Sequence, residues 1–163
     1  MIDGMPIRAG VTMRTHKAFR TAHELAASRG HAELTPVHIL LAIVREGRSP
    51  AVVVLYNRGV QLKELEQELE KHLSPLTTAY EPEYEWTEGE LGMLQKAADE
   101  AHELDHEYQG CEHILLAILR DPHSLAAEIL ARHQVRFADA QAEVLHILGS
   151  PRSPDRNGPS PAA

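Results

Sequence analysis

The sequence predicts an all-α protein made of two copies of a four-helix repeat. The first observation behind this prediction is an internal duplication, in which residues 12–73 align with residues 87–148 without a gap. The second is the spacing of apolar residues by three and four along both copies, which is typical of amphipathic helices. The third is the placement of the residues that begin and end helices. Capping residues precede the apolar runs, and no proline falls in the interior of a predicted helix.

Sequence identity between the copies is highest at the second predicted helix of each copy. Residues 38–43 and 113–118 carry the same six letters, HILLAI. Other identical positions in the alignment are Thr12 and Thr87, Ala22 and Ala97, Ala26 and Ala101, His31 and His106, Arg45 and Arg120, and Leu55 and Leu130. Composition alone does not keep register over such a length, so we interpret the two segments as repeats.

The first two helices of the first copy have clear start signals. Thr12 is a good N-cap, apolar residues follow it at helical spacing, and Gly30 ends the helix. Thr35 and Pro36 then place a cap before a proline in the first turn. The run at residues 37–44 is apolar almost all round, which indicates a helix buried on most sides.

The third and fourth helices follow the same logic. A Ser-Pro pair at residues 49–50 opens a helix over residues 51–58, and Gly59 stops it. A leucine stripe over residues 62–73 predicts a strongly amphipathic fourth helix, whose acidic outer face is an ordinary solvated surface or a surface for a basic partner. The second copy repeats the plan, with helices predicted over residues 87–104, 111–120, 124–133 and 138–148.

Three segments lie outside the copies. Residues 1–11 form an N-terminal extension, and residues 74–86 form a polar linker that we expect to pack Tyr80, Tyr84 or Trp86 on the surface. The tail at residues 149–163 is rich in proline and serine and has too little apolar surface to offset its ordering entropy. We therefore expect that tail to be disordered.

Composition excludes several classes of protein. The 163 residues carry 16 Lys plus Arg against 24 Asp plus Glu, a net charge of −8, which argues against a nucleic-acid binder. Apolar runs are far too short to span a membrane, and residues 1–11 contain no apolar stretch of signal-peptide length. The single cysteine, Cys111, suits a reducing compartment, so we expect a cytoplasmic protein with no membrane partner.

With these motifs in place, the sequence resembles the duplicated N-terminal domain of the Clp ATPases, the Clp N or Clp R repeat. The resemblance rests on the threonine that opens each copy, the Gly-His pair at residues 30–31, the two HILLAI segments, the Arg-Glu-Gly at residues 45–47 and the Gly-Val at residues 59–60. It implies a compact eight-helix domain with pseudo-twofold symmetry. It also implies a recognition module that binds substrates, adaptor proteins or marked arginines and performs no chemistry.

One departure from the usual Clp ATPase shapes the functional prediction. The sequence has no G-x-x-x-x-G-K-[ST] phosphate loop, so we expect a free-standing, non-enzymatic module that needs no cofactor. Its expected partners are Clp ATPase or peptidase components, adaptors and substrates, and its expected role is that of an accessory or regulatory factor in Clp proteolysis. The alternative is a stand-alone helical protein, unconnected to Clp, that binds a metal or a small ligand.

The resemblance also implies a site for phosphorylated arginine in each copy, formed by the first threonine and a glutamate before the second-helix histidine. In the second copy these residues are Thr87 and Glu112. A helix start suits the phosphate and a carboxylate suits the guanidinium. In the first copy Thr12 is present but Val37 replaces the glutamate, so we expect that copy to be degenerate. The alternative is that both threonines are plain N-caps and that Glu112 is a first-turn carboxylate stabilised by the dipole of its helix.

The histidines raise a further possibility, a metal site. His102, His106, Cys111 and His113 lie close together in the sequence and are ligand types that zinc accepts. Two of them, His106 and His113, have histidine counterparts in the first copy, whereas the other two do not. A recurring position favours a shared packing role, so we predict no metal site and an inert Cys111.

Overall fold

The computed structural model describes residues 4–73 and 76–149, and those residues form eight α-helices in two pseudo-symmetric halves. The all-α fold and the duplicated four-helix plan are therefore as predicted. The helices are α1 (Met13–Ser28), α2 (Pro36–Glu46), α3 (Pro50–Asn57), α4 (Leu62–Lys71), α5 (Glu88–Glu103), α6 (Cys111–Arg120), α7 (Leu125–Arg132) and α8 (Phe137–Leu148). Their ends differ from the predicted ones by two residues at most, and α6 agrees at both ends.

Local chemistry sets the helix ends. The hydroxyl of Thr12 accepts a hydrogen bond from the Thr15 amide (3.2 Å), and Ser124 caps α7 in the same way. At the end of α1, Gly30 takes a left-handed conformation (φ 70°), which lets the His31 amide reach back to the carbonyl of Ala26 (2.9 Å). Glycine reaches this conformation without steric cost, which explains why the helix stops there.

The second helix of each copy forms the centre of its half. Every residue from 37 to 44 of α2 is buried, and so is every residue from 111 to 119 of α6. Leu40 and Leu41, together with their counterparts Leu115 and Leu116, have no exposed surface at all. The nearly all-round apolar pattern predicted this burial, and it makes these two helices the main source of hydrophobic stabilisation.

The two halves interlock through their third helices. Helix α3 belongs to the first copy but packs mainly against α6 and α8 of the second, and α7 packs against α2 and α4 as well as α6. Hydrogen bonds from α3 and α7 also join the two halves. Asn57 on α3 donates to Glu143 on α8 (2.9 Å), and Arg132 on α7 donates to Glu68 on α4 (2.8 Å). Neither copy is therefore a self-contained bundle.

Two extended segments pack across α1. Trp86 donates from its indole nitrogen to the carbonyl of Pro6 (2.8 Å), and its ring centre lies 5.2 Å from that of Phe19. Tyr84 donates to Glu24 (3.0 Å), and Tyr80 donates to the carbonyl of His31. The linker aromatics thus fasten the connection between the copies, as the sequence suggested.

Parts of the predicted linker and tail lie outside the described residues. These are residues 74–75 of the linker and all of the tail at 149–163 except Gly149. Within the described ranges, no helix combines the length and the apolar character that a membrane crossing requires.

Candidate binding site

Thr87 lies at the start of α5, where its polar groups are already engaged. Its amide and its hydroxyl both donate to a carboxylate oxygen of Glu90 (3.0 Å each), while the Glu90 amide donates back to the hydroxyl (3.2 Å). This is a capping box, and Glu90 is buried against His23, 2.8 Å away. A ligand at this helix start would therefore meet a pre-ordered threonine.

Glu112 lies in the first turn of α6 and is almost completely buried, with 2% of its surface exposed. Its carboxyl group sits directly against Gly110, at a spot that a Cβ at position 110 would occupy. Burial raises the pKa of Glu112, although a hydrogen bond from Tyr108 opposes that rise. At the aligned position of the first copy, Val37 is just as buried, so an apolar side chain replaces a carboxyl group in the same environment.

The segment before α1 lies beside the loop that leads to Glu112. Gln109 donates to the carbonyl of Gly10 (2.7 Å), and the amide of Thr12 donates to the carbonyl of Gln109 (3.1 Å). Thr15 also donates to that carbonyl (3.3 Å). Thr12 is thus held next to the Glu112 loop, whereas no hydrogen bond joins Thr87 to Glu112 within the described residues.

The recurring histidines form a hydrogen-bonded relay in each copy. In the first copy, the amide of Thr35 donates to Nδ1 of His38 (2.9 Å), and Nε2 of His38 lies 3.0 Å from Nδ1 of His31. Because an amide can only donate, Nδ1 of His38 must be unprotonated and its proton resides on Nε2. His38 is therefore neutral and donates to His31.

The second copy repeats the relay and extends it. The Gly110 amide donates to Nδ1 of His113 (3.0 Å), Nε2 of His113 lies 2.8 Å from Nδ1 of His106, and Nε2 of His106 lies 2.6 Å from the carbonyl of Gly149. The ring of Tyr108 stacks on His106 and meets His113 edge-on. The relay thus links the start of α6 to the end of α8. Sequence reasoning found the recurrence but not this bonding pattern.

The relays account for the protonation state of the two inner histidines, His38 and His113. Burial, with smaller contributions from His31 and Arg29, lowers the pKa of His38 from its ordinary 6.5 to about 4. Burial and His106 lower the pKa of His113 to about 3. Protonation of either ring would turn its accepting Nδ1 into a donor facing an amide, so the relays need neutral histidines.

The candidate zinc ligands do not converge in the described part of the chain. No group of three or more His, Cys, Asp or Glu side chains there has the geometry to hold a metal ion. His102 is exposed, whereas Cys111 is buried and lies 3.7 Å from the hydroxyl of Thr15. Burial raises the pKa of the Cys111 thiol to about 12, so it is protonated at neutral pH.

A cleft of about 570 Å³ lies between the two copies. The start of α2, the end of α4 and the start of α7 form its walls, and its apolar lining includes Val37, Leu73 and Leu125, of which only Leu125 is exposed. His31 and His72 stand at its polar side. The sequence predicted a groove between the repeats but not its lining, because the exchange of α7 brings Leu125 to it.

The chain matches the model of one protein family twice. That family is the Clp repeat (R) N-terminal domain, and the matches cover residues 11–90 and 85–162. Among curated proteins, the chain is 33% identical over 142 residues to the chaperone protein ClpB of Oceanobacillus iheyensis, covering 87% of this chain and 17% of that protein. It is also 33% identical over 139 residues to the negative regulator of genetic competence ClpC/MecB of Bacillus subtilis, covering 85% of this chain and 17% of that protein.

Solved structures share the fold. The N-domain of ClpV from Vibrio cholerae superposes with a TM-score of 0.72 at 21% identity, covering 91% of this chain and 95% of that one. The Hsp104 N-terminal domain from Candida albicans superposes with a TM-score of 0.69 at 22% identity, covering 87% and 93%. The double match to the family model and the 33% identity to its relatives establish that this chain belongs to the Clp repeat (R) N-terminal domain family.

Proposed function

We propose that this chain is a non-enzymatic protein-binding module, which receives a segment of an adaptor or substrate protein in Clp-dependent proteolysis. The observation that carries the proposal is the cleft between the copies, whose volume of about 570 Å³ is in the range of ligand-binding clefts. Its surface combines apolar side chains with a few polar groups, which suits a peptide. A ClpV N-domain of the same fold has been solved in complex with a VipB peptide.

The exposed Leu125 gives a direct test of this cleft. Leu125 is 41% exposed at the cleft mouth, so Leu125→Glu places a charge there with little effect on folding. Val53 is 40% exposed on α3 and is not among the residues that line the cleft, so Val53→Glu is the matched control. Immobilised protein should retain Clp ATPase, peptidase or adaptor proteins from a native lysate, and Leu125→Glu should release them while Val53→Glu should not. Equal retention by both variants would contradict the proposal.

The finer part of the proposal concerns phosphoarginine at the second copy. Glu112 would accept the guanidinium, and the start of α5 at Thr87 would face the phosphate. Support comes from the presence of both residue types, and the phosphate would displace the Glu90 carboxylate from the Thr87 amide and hydroxyl. Binding requires the Glu112 carboxylate to turn out from its place beside Gly110.

Calorimetric titration with phosphoarginine tests this part. We expect saturable binding that Glu112→Ala abolishes and that Thr87→Val weakens. Thr12→Val is an informative control, because Thr12 is the threonine held next to the Glu112 loop. Unchanged affinity in Glu112→Ala would refute the phosphoarginine site. Loss in Thr12→Val but not in Thr87→Val would assign the phosphate to the start of α1 instead.

The proposed role in the pathway is that of an accessory or regulatory factor. The chain spans 17% of the length of the Clp proteins that it matches, and its 163 residues contain no phosphate loop. Adding it to a reconstituted Clp ATPase and peptidase should change the rate at which a model substrate is degraded. The direction of that change assigns activation or inhibition, and an unchanged rate at saturating concentration would refute the role.

A further inference from the structure

Glu33 is the only acidic residue among the described residues that line the inter-repeat cleft, and none of those residues is a lysine or an arginine. It lies in the loop before α2, four residues ahead of Val37, and it is exposed. Within the described part of the chain its carboxylate forms neither an ion pair nor a hydrogen bond. The carboxylate is therefore open to a ligand that enters the cleft.

The three histidines that line the cleft do not offset this negative charge. His38 is neutral because its Nδ1 accepts from the Thr35 amide, and Nδ1 of His31 accepts the hydrogen bond that His38 donates (3.0 Å). Nε2 of His72 lies 3.4 Å from a guanidinium nitrogen of Arg132, which can only donate. Each ring therefore has one nitrogen that accepts a hydrogen bond, as a neutral imidazole requires.

The arginines beside the cleft are paired with carboxylates of their own. Arg29, which follows α1, pairs with Glu70, and Arg132 pairs with Glu68. Lys71, at the end of α4, is exposed and is not among the residues that line the cleft. The cleft therefore presents one unpaired carboxylate to a ligand.

Two helix starts also border the cleft, and free amides there would favour an anion. The first residue of α2 is Pro36, which has no N–H group. At the start of α7, the hydroxyl of Ser124 accepts from the amide of Ala127 (3.2 Å). Because these two amide positions are absent or engaged, an unpaired carboxylate beside apolar walls favours a cation.

The two copies place a carboxylate at different positions of the same loop. In the second copy Glu112 is buried, and Tyr108 donates a hydrogen bond to it. At the aligned positions of the first copy, Glu33 stands in place of the tyrosine and Val37 in place of the glutamate. The carboxylate of the first copy thus lies at the exposed position, so it can meet a ligand without first leaving a buried place.

We propose that Glu33 is a specificity-determining residue of this cleft, which selects a protein segment that carries an arginine or lysine among apolar side chains. This inference rests on the proposed function of the cleft and names the chemistry of its occupant. The apolar side chains of the segment would contact the lining at Leu125, and its cationic group would pair with the Glu33 carboxylate. An acidic segment would meet the same carboxylate and be repelled.

A pair of isosteric peptides tests the proposal without knowledge of the natural partner. The probe is a fluorescein-labelled peptide with the sequence Ser-Leu-Leu-Arg-Leu-Leu-Ser. Its control has citrulline, an uncharged isostere, in place of arginine. Fluorescence anisotropy should show saturable binding of both peptides, with the arginine probe binding about threefold or more tightly than the citrulline probe. The difference between them should shrink as salt is added.

Matched variants locate the cation. Glu33→Gln should weaken the arginine probe alone, so that the two probes bind equally. Glu64→Gln removes an exposed carboxylate of α4 that does not line the cleft, and it should keep the preference for arginine. Glu112→Gln should keep it as well. Loss of the preference in Glu112→Gln but not in Glu33→Gln would place the cation in the second copy and overturn the proposal.

The remaining outcomes separate this inference from the proposed function. Equal binding of the two probes to the original protein would overturn the selection of a cation. If Leu125→Glu then weakened the citrulline probe, the cleft would still stand as a binding surface. Failure of both probes to bind saturably would also overturn this inference, whereas retention of lysate proteins by Leu125→Glu decides the proposed function separately.

Discussion

At Gly110 the two copies differ in their packing. The carboxyl group of Glu112 occupies the space where a side chain at position 110 would begin. In the first copy, the aligned pair is Thr35 and Val37, so there a β-carbon and a shorter apolar side chain fit together. The glycine is thus a consequence of the buried glutamate, not of a special backbone angle, since its φ of −104° is open to any residue.

A double-mutant cycle measures this dependence. Gly110→Ala should lower the free energy of unfolding by about 1–3 kcal/mol, because the added methyl group displaces a buried carboxyl group. In a Glu112→Val background, which imitates the first copy, the same substitution should cost less than about 0.5 kcal/mol. Urea denaturation followed by circular dichroism gives all four values. If Gly110→Ala lowered the free energy of unfolding equally in both backgrounds, the contact between positions 110 and 112 would not be the cause of the loss.

The histidine relays predict a loss of stability in mild acid. In the unfolded chain a histidine takes up a proton near its ordinary pKa of 6.5, whereas in the folded protein the pKa of His38 is lowered to about 4 and that of His113 to about 3. The unfolded state therefore binds more protons between these values, and unfolding becomes easier as pH falls. Their full contribution is present above pH about 6.5 and is lost as pH falls toward the folded-state values.

Between pH 7 and pH 5 this loss should amount to up to about 2 kcal/mol for each inner histidine. Urea midpoints at a series of pH values would measure it. The double variant His38→Gln with His113→Gln should be less stable at pH 7 but flatter in its pH dependence. The exposed His102→Gln is the control and should keep the original slope. A flat profile in the original protein would contradict the neutral relays.

At the scale of elements, helix positions were predictable from the sequence because their signals are local. Thr12, Gly30 and the Thr-Pro pair at residues 35–36 act on their own backbone neighbours, and each one ends or begins a helix where expected. The burial of α2 and α6 was predictable for a similar reason, since each is apolar on nearly every side. The exchange of third helices was not predictable, because spacing along a helix does not say which neighbour its apolar face will meet.

The extended segments over α1 make one aromatic residue important. Trp86 contacts Phe19 and His16 and donates to Pro6, so it joins the linker, the first helix and the N-terminal extension. Trp86→Ala should lower the unfolding free energy by about 2 kcal/mol, less than the loss for a fully buried tryptophan. It should also speed proteolysis within residues 4–11.

A suitable control for Trp86 is Tyr56→Ala on α3. Tyr56 is 71% exposed, so its removal should change stability by less than about 0.5 kcal/mol. Thermal unfolding of both variants would make the comparison. If Trp86→Ala matched this control, the indole contacts would not hold the segments in place.

At the scale of the whole molecule, the interlocked third helices predict that neither copy folds alone. A chain of residues 1–80 would expose the apolar face of α3, and a chain of residues 81–163 would lack α3 against α6 and α8. Far-UV circular dichroism should show little helix in either piece and a gain of helix when the two are mixed. A cooperative unfolding transition in one isolated piece would show that a copy is independent.

The candidate site was predictable only in its residue types. Thr87 and Glu112 could be singled out from motif positions, but not the contact of the Glu112 carboxyl group with Gly110 or the hydrogen bonds that join residues 10–12 to Gln109. Likewise, Leu125 enters the inter-repeat cleft only because α7 crosses to the first copy. Contacts between distant parts of the chain decided these features, and no local pattern encodes them.

The exchange of third helices also bears on how such a molecule can arise. A gene that encoded one copy would yield a chain that completes its bundle only by meeting a second chain, so folding would depend on protein concentration. Joining two copies in tandem replaces that encounter with a tether. Once joined, the halves no longer need to be identical, and a surface residue or a carboxylate can change in one half while its twin preserves the shared architecture. Val37 opposite Glu112, and Gln61 opposite Arg136, are the kind of divergence that this arrangement permits.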